Sequence, residues 1–233
     1  MDKYRHEYKY LIDSGQRAVT LIKARGLMKP DPHAGKDGCY LIRSLYFDDR
    51  SDTCFFQNEA GADPRAKYRI RYYNSDTSFI RLEKKIKRKG MTLKRSCPLT
   101  EQEVEALISG SSPPISADMP EEKRRLLLEL NTCGMLPKVI VTYQRIPFVY
   151  PAGNVRVTFD GNITSSDGIR NYLTQDYRQC PVLPPGKSVL EVKYDELLPL
   201  HIKRLLQLDT LQWSTFSKYF NCRLVGFQGV NGI

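Results

Sequence analysis

Between Arg65 and Arg95 the chain sets twelve bases against two acids and spaces most of them at alternate positions. Period 2 is the strand period, which sends successive side chains to opposite faces. In Ala66–Tyr73, Lys67, Arg69 and Arg71 share one face, and Ala66, Tyr68, Ile70 and Tyr72 share the other. In Phe79–Lys87, Arg81, Glu83, Lys85 and Lys87 oppose Ile80, Leu82, Lys84 and Ile86, and the intervening Asn-Ser-Asp reads as a hairpin turn. The segment carries a net +10, which is the net charge of the whole 233-residue chain. The basicity is therefore a site and not a general solubility device, and a polyanionic partner is expected.

Five further runs behave as strands. Arg5, Glu7 and Lys9 alternate with His6, Tyr8 and Tyr10; Arg156, Thr158 and Asp160 alternate with Val155, Val157 and Phe159; Glu191 and Lys193 oppose Leu190, Val192 and Tyr194 within Ser188–Tyr194. Lys138–Tyr150 is longer and more apolar, with Tyr143 and Arg145 on one face, and Tyr40–Asp49 places Ser44, Tyr46 and Asp48 together. Helices are expected from an Asp13 cap through Ala24 with a stop at Gly26, over Asp52–Glu59, from a Thr100/Glu103 capping box to Ser109–Gly110, and over Asp118–Asn131, Glu196–Leu208 and Thr215–Cys222.

A solvated antiparallel face would account for any one charged strand. Such a face usually mixes Thr, Ser, Gln and Glu, whereas Arg and Lys dominate several strands here. If the sheet closes into a barrel with helices outside, the apolar faces pack beneath the helices and the charged faces line a lumen. That lumen must hold a polyanion or counterions, because unpaired buried cations are costly. The expected class is α+β, an antiparallel β-barrel tunnel flanked by helices. No composition shift is large enough to mark a boundary, so residues 1–233 read as a single domain.

Several function classes are disfavoured. The six cysteines lie far apart, without a C-x-x-C pair or a histidine at ligand spacing, which argues against a zinc site and a disulfide framework. No apolar run approaches about 18 residues, so no transmembrane span is expected, and the opening MDKYRHEYKY has no signal-peptide core, so a cytoplasmic location is expected. Basic strands with Tyr68, Tyr72 and Tyr73 superficially offer a stacking platform for nucleic acid, but Tyr68 and Tyr72 fall opposite the cations. No nucleic-acid partner is expected.

Eight motifs, in order, carry a resemblance: R-H-E-Y-K-Y (5–10), R-S-L-Y-F-D (43–48), K-Y-R-I-R-Y-Y (67–73), R-L-E-K-K (81–85), Y-Q-R-I-P-F (143–148), V-R-V-T-F-D (155–160), L-E-V-K-Y (190–194) and F-S-K-Y (216–219). Together they resemble the VTC domain, the polyphosphate polymerase branch of the triphosphate tunnel metalloenzyme (CYTH) superfamily. The resemblance implies a tunnel-like barrel, ATP and inorganic polyphosphate as partners, and Mn²⁺ or Mg²⁺ as cofactor. It also implies transfer of the γ-phosphate of ATP to a growing chain, and domains of this branch can work beside membrane components, although no span is expected in this chain.

Carried onto this sequence, Lys9, Arg69, Arg71, Lys85, Arg145, Arg156 and Lys218 match the family's phosphate-coordinating cations, with Lys9, Arg69, Arg71 and Lys218 expected to act in catalysis. Glu191 matches its metal-binding carboxylate, and Lys67, Tyr143, Lys193 and Ser217 match further motif positions expected to bind substrate. The hydrolytic branch begins E-x-E-x-K; here Arg5 replaces the first Glu, which argues against a second metal and fits the polymerase branch.

Phosphoryl transfer asks mainly for positioning and charge stabilisation. An anionic phosphate acceptor needs neutralisation and alignment, whereas water needs a base. An acid-poor tunnel thus favours transfer over hydrolysis. A metal-dependent triphosphatase and a non-catalytic polyphosphate- or nucleotide-binding module stand as alternatives. Glu83 reads as a salt-bridge partner of Lys85 or Arg69 in preference to a metal ligand, Tyr143 reads equally as core or ligand, and Lys87, Arg88 and Lys89 read as a basic rim.

Overall fold

One antiparallel sheet carries the alternation into three dimensions. The computed structural model describes residues 4–230, with side chains to residue 226; the outermost three residues at each end of the expected domain lie outside the described residues. The chain runs β1 (His6–Ile12), α1 (Ser14–Leu27), β2 (Lys29–Pro30), β3 (Tyr40–Asp48), α2 (Thr53–Glu59), β4 (Arg65–Tyr73), β5 (Asp76–Arg88), β6 (Met91–Leu99), α3 (Glu101–Ile108), α4 (Glu121–Thr132), β7 (Leu136–Tyr150), β8 (Val155–Ser166), β9 (Cys180–Pro181), β10 (Ser188–Tyr194), α5 (Leu200–Leu205) and α6 (Lys218–Val230). Eight strands follow the spatial order β1-β10-β8-β7-β3-β4-β5-β6, with β2 added to β7 and β9 to β8.

The sheet curls until its two edges meet. Arg5 and Thr92 exchange backbone hydrogen bonds of 2.9 and 2.8 Å, joining the strand that begins the path to the one that ends it. Further along β1 the neighbour changes: Ser214 N–H donates to Lys9 O at 2.8 Å, and Trp213 bridges Tyr10. The extended segment before α6 therefore covers the edge that β6 leaves free.

Registers fix the faces. Lys67 lies opposite Lys85, Arg69 opposite Glu83 and Arg71 opposite Arg81, while Lys9 lies opposite Glu191, Glu7 opposite Lys193 and Arg156 opposite Lys193. The alternate residues point outward under the helices. Tyr68, Ile70, Tyr72, Ile80 and Leu82 are buried with Val104 and Leu107 of α3 and Leu126, Leu127 and Leu130 of α4. Tyr10, Ile12, Phe159, Leu190 and Val192 are buried with Ala24 of α1 and Ile202 of α5.

Several elements depart from the sequence expectation. Strand β6 was not expected: its adjacent Lys94 and Arg95 and its Pro98 obscure the alternation, yet Lys94 faces Glu83 while Arg95 reaches Glu122 of α4 on the other side. Helix α1 passes through Gly26 and ends where buried Met28 turns extended and Lys29 pairs with Val149. Helix α5 begins after Pro199, not at Glu196, since the residue before a proline is driven out of the helical region. Helix α4 likewise begins after Pro120, and α6 starts at Lys218 because the preceding residues are held extended against β1. Among the described residues no helix is long and apolar enough to cross a membrane.

Candidate functional site

The inward faces enclose a cavity of about 140 Å³, lined by ten lysines and arginines against two glutamates. Of the twelve residues singled out from the sequence, eleven line it: Lys9, Lys67, Arg69, Arg71, Lys85, Tyr143, Arg145, Glu191, Lys193, Ser217 and Lys218. Arg156 does not. It shares the inward face by register with Lys193, but Asp31 draws its guanidinium aside at 2.7 Å and it donates to Tyr40 Oη at 2.6 Å.

Two buried carboxylates behind the wall hold the arginines in place. Asp160 accepts from Arg145 Nε and Nη2 at 2.6 and 2.7 Å and from Lys218 Nζ at 2.6 Å. Glu83 receives Arg69 through Nε at 2.8 Å and Nη2 at 2.6 Å, with Lys94 at 3.2 Å. Burial opposes the charged form of both carboxylates, but the surrounding cations outweigh it and hold each below the usual carboxylate range. Arg71 donates to Tyr143 Oη at 2.9 Å and to Ser44 Oγ at 3.2 Å, and Arg69 donates to Tyr46 Oη at 2.9 Å. Tyr143 is both core and wall: fully buried, it presents its ring to Lys218 Nζ at 4.6 Å from the centroid.

The glutamates that reach the cavity are equally occupied. Both oxygens of Glu7 accept from Lys85 Nζ at 2.6 Å, with Lys9 at 3.3 Å and Lys193 at 3.8 Å. Glu191 Oε1 lies against Lys193 Nζ without a well-directed hydrogen bond, and Oε2 is 3.9 Å from Arg145. Burial raises the pKa of both, but the ammonium groups prevail and both are pushed down. Desolvation also pushes Lys85 down to about 7, partly offset by Glu7.

Lys67 differs from its neighbours. Its Nζ donates to Asn58 Oδ1 at 2.5 Å and to Ser217 Oγ at 2.6 Å, both neutral groups. Burial, then Lys9, Lys85 and Arg65, depress its pKa strongly. Among the described residues it has no carboxylate partner, and the cavity in front of it is where an anion fits.

Arg5, the departure from the hydrolytic pattern, turns out of the cavity to Asp195 at 2.9 Å and to Asn154 O at 2.6 Å. Among the described residues no group of three or more His, Cys, Asp or Glu could hold a metal. Glu191 and Glu7, on adjacent strands around Lys193, form a donor set suited to a hard divalent ion that brings phosphate and water for its other positions.

The VTC domain family matches residues 4–227. The chain belongs to this family. The VTC domain here is similar in fold to a Hippeastrum protein named as an adenylyl cyclase and described as having a dominant triphosphatase activity, at TM-score 0.54 and 13% identity over 96% of each chain. It is also similar to a Bacillus halodurans protein named as an adenylate cyclase, at TM-score 0.50 and 15% identity over 94% of this chain and 91% of that one. A Pyrococcus horikoshii protein matches at TM-score 0.50 and 14% identity, over 96% and 99%. No curated protein matches the sequence. At 13–15% identity these likenesses are of fold.

Some cavity residues of the VTC domain were not singled out from sequence. Glu7 and Tyr46 share the inward parity, and that signal was there to use. Asn58 lies on α2 and Trp213 on an extended segment, so no strand period points to either.

Proposed function

We propose that this VTC domain, read as one tunnel domain over 1–233, is a metal-assisted polyphosphate polymerase that transfers the γ-phosphate of ATP to the end of an inorganic polyphosphate chain. One observation carries the reading: Glu7, Glu83, Asp160 and Glu191, the carboxylates set against the cavity's cations, are each paired with lysine or arginine, and each is held below the ordinary carboxylate range. Among the described residues no histidine lines the cavity. A general base for water works best with a pKa near the operating pH, and these carboxylates lie far from it. An already anionic phosphate acceptor needs no base, only neutralisation of two mutually repelling anions.

In this reading a terminal oxygen of the acceptor bonds to the γ-phosphorus as the bond to the β,γ-bridging oxygen breaks, and ADP departs. No proton changes hands in the transfer itself. Lys9, Arg69, Arg71 and Lys218 stabilise the charge on the transferring oxygens, with Arg145 and Lys85 along the same wall. Lys67 meets a phosphate in place of its missing counter-ion. Glu191, with Glu7 beside it, would hold the Mg²⁺ or Mn²⁺ carried by the phosphates, which supplies neutralisation of their oxygens.

The test is to incubate purified protein with ATP and Mn²⁺ or Mg²⁺, with and without a phosphate primer, and to resolve ADP, orthophosphate and polymer. ADP with a polymer that a polyphosphate-degrading enzyme destroys is expected. ADP with orthophosphate and no polymer would favour a triphosphatase; tight binding without turnover would favour a non-catalytic module.

A further inference from the structure

Four aromatic rings line the cavity, and three are already engaged. Tyr46 and Tyr143 accept hydrogen bonds from Arg69 and Arg71, and Tyr219 donates to Asp48. All three are buried. Trp213 is the exception: it lines the cavity, yet is 59% exposed, and among the described residues its ring stacks on no aromatic and carries no cation.

The indole is free, but its backbone is not. Trp213 bridges Tyr10, the next N–H bonds to Lys9 O at 2.8 Å, Phe216 N–H donates to Ser214 Oγ at 3.1 Å, and Lys9 Nζ donates back to Phe216 O at 3.0 Å. The segment therefore fixes an unoccupied ring face at the rim of a cationic cavity. Exposing the largest apolar side chain beside so many charges forgoes burial that a folded core would supply. A flat apolar ligand group attached to a polyanion would recover it.

We propose that Trp213 is the stacking surface for the nucleobase of the donor nucleotide, at the rim of the cavity that takes its phosphates. The proposal rests on the reading that a nucleoside triphosphate is the donor. The phosphates meet Lys67 and Lys9, both of which bond to the same 213–217 segment, so the polar and flat ends of one ligand have neighbouring receptors. Stacking tolerates any base because each has a π-face. The larger purine ring covers more of the indole, so purine triphosphates should be favoured over pyrimidine ones, with little distinction between adenine and guanine.

The sequence holds one tryptophan, so its emission reports this site alone. ATP should quench the emission saturably, and inorganic tripolyphosphate, which has the phosphates but no base, should displace ATP and restore it. Trp213→Ala should weaken ATP binding about tenfold while leaving tripolyphosphate affinity unchanged, and Trp213→Phe should recover most of the loss. Equal weakening of both ligands, or of neither, overturns the proposal. These are binding measurements without turnover, so they stand or fall separately from polymer formation: a protein that stacks ATP and makes no polymer would sink the polymerase reading and keep this one.

Discussion

Lys85 and Glu7 show how the cavity is poised before any anion arrives. The ammonium sits 2.6 Å from both carboxylate oxygens, yet burial still drives its pKa to about 7. As pH rises through that value the unliganded cavity loses a cation. Affinity for tripolyphosphate should fall between pH 6 and pH 8.5, as calorimetric titration would reveal, and Lys85→Arg should move the fall to higher pH. Stability runs the other way. Between about 7 and the ordinary lysine range the unfolded chain binds the proton that folded Lys85 has shed, so Lys85 makes folding more favourable as pH rises there. A pH-independent affinity in the wild type would remove Lys85 from the binding wall.

At the scale of elements, strand parity made most of the site legible before the fold was known. Lys84 and Lys85 are neighbours in sequence and opposites in structure: Lys84 reaches Glu129 of α4 at 2.6 Å on the outer face, while Lys85 enters the cavity. Lys84→Ala should lower stability by no more than about 1 kcal/mol, since the pair is partly exposed, and leave turnover within about twofold. Lys85→Ala should reduce turnover at least about tenfold, by removing charge stabilisation of the transferring phosphate. Equal effects on turnover would refute the facing assigned to β5. Parity could not reveal β6, because its bases serve both faces and Pro98, at the sheet edge, has no N–H to donate. Nor could it predict that Arg156 would be intercepted by Asp31, which comes from a loop far away in sequence.

For the molecule as a whole, the segment 213–217 joins two features that sequence left separate: it covers the free edge of β1 and supplies Ser217 to Lys67. In the proposed reading, closure and ligand binding are thus coupled through one half-buried lysine. A folded chain that binds an anion here is stabilised by mass action, by about 2.7 kcal/mol at a hundredfold excess over Kd. For a chain of this size that is roughly 5–10 °C in Tm. Chloride at the same ionic strength should give far less, because it can screen the exposed rim but cannot bridge several buried cations at once. Lys67→Met removes an inward-facing amine that, among the described residues, has no carboxylate partner, so it should raise the Tm of the free protein or leave it unchanged while shrinking the shift produced by tripolyphosphate. Thermal melts of both proteins in matched salt decide this: if chloride matches tripolyphosphate, or the Lys67→Met shift equals the wild-type one, the cavity's charge is held by the fold alone and Lys67 has no part in binding the anion.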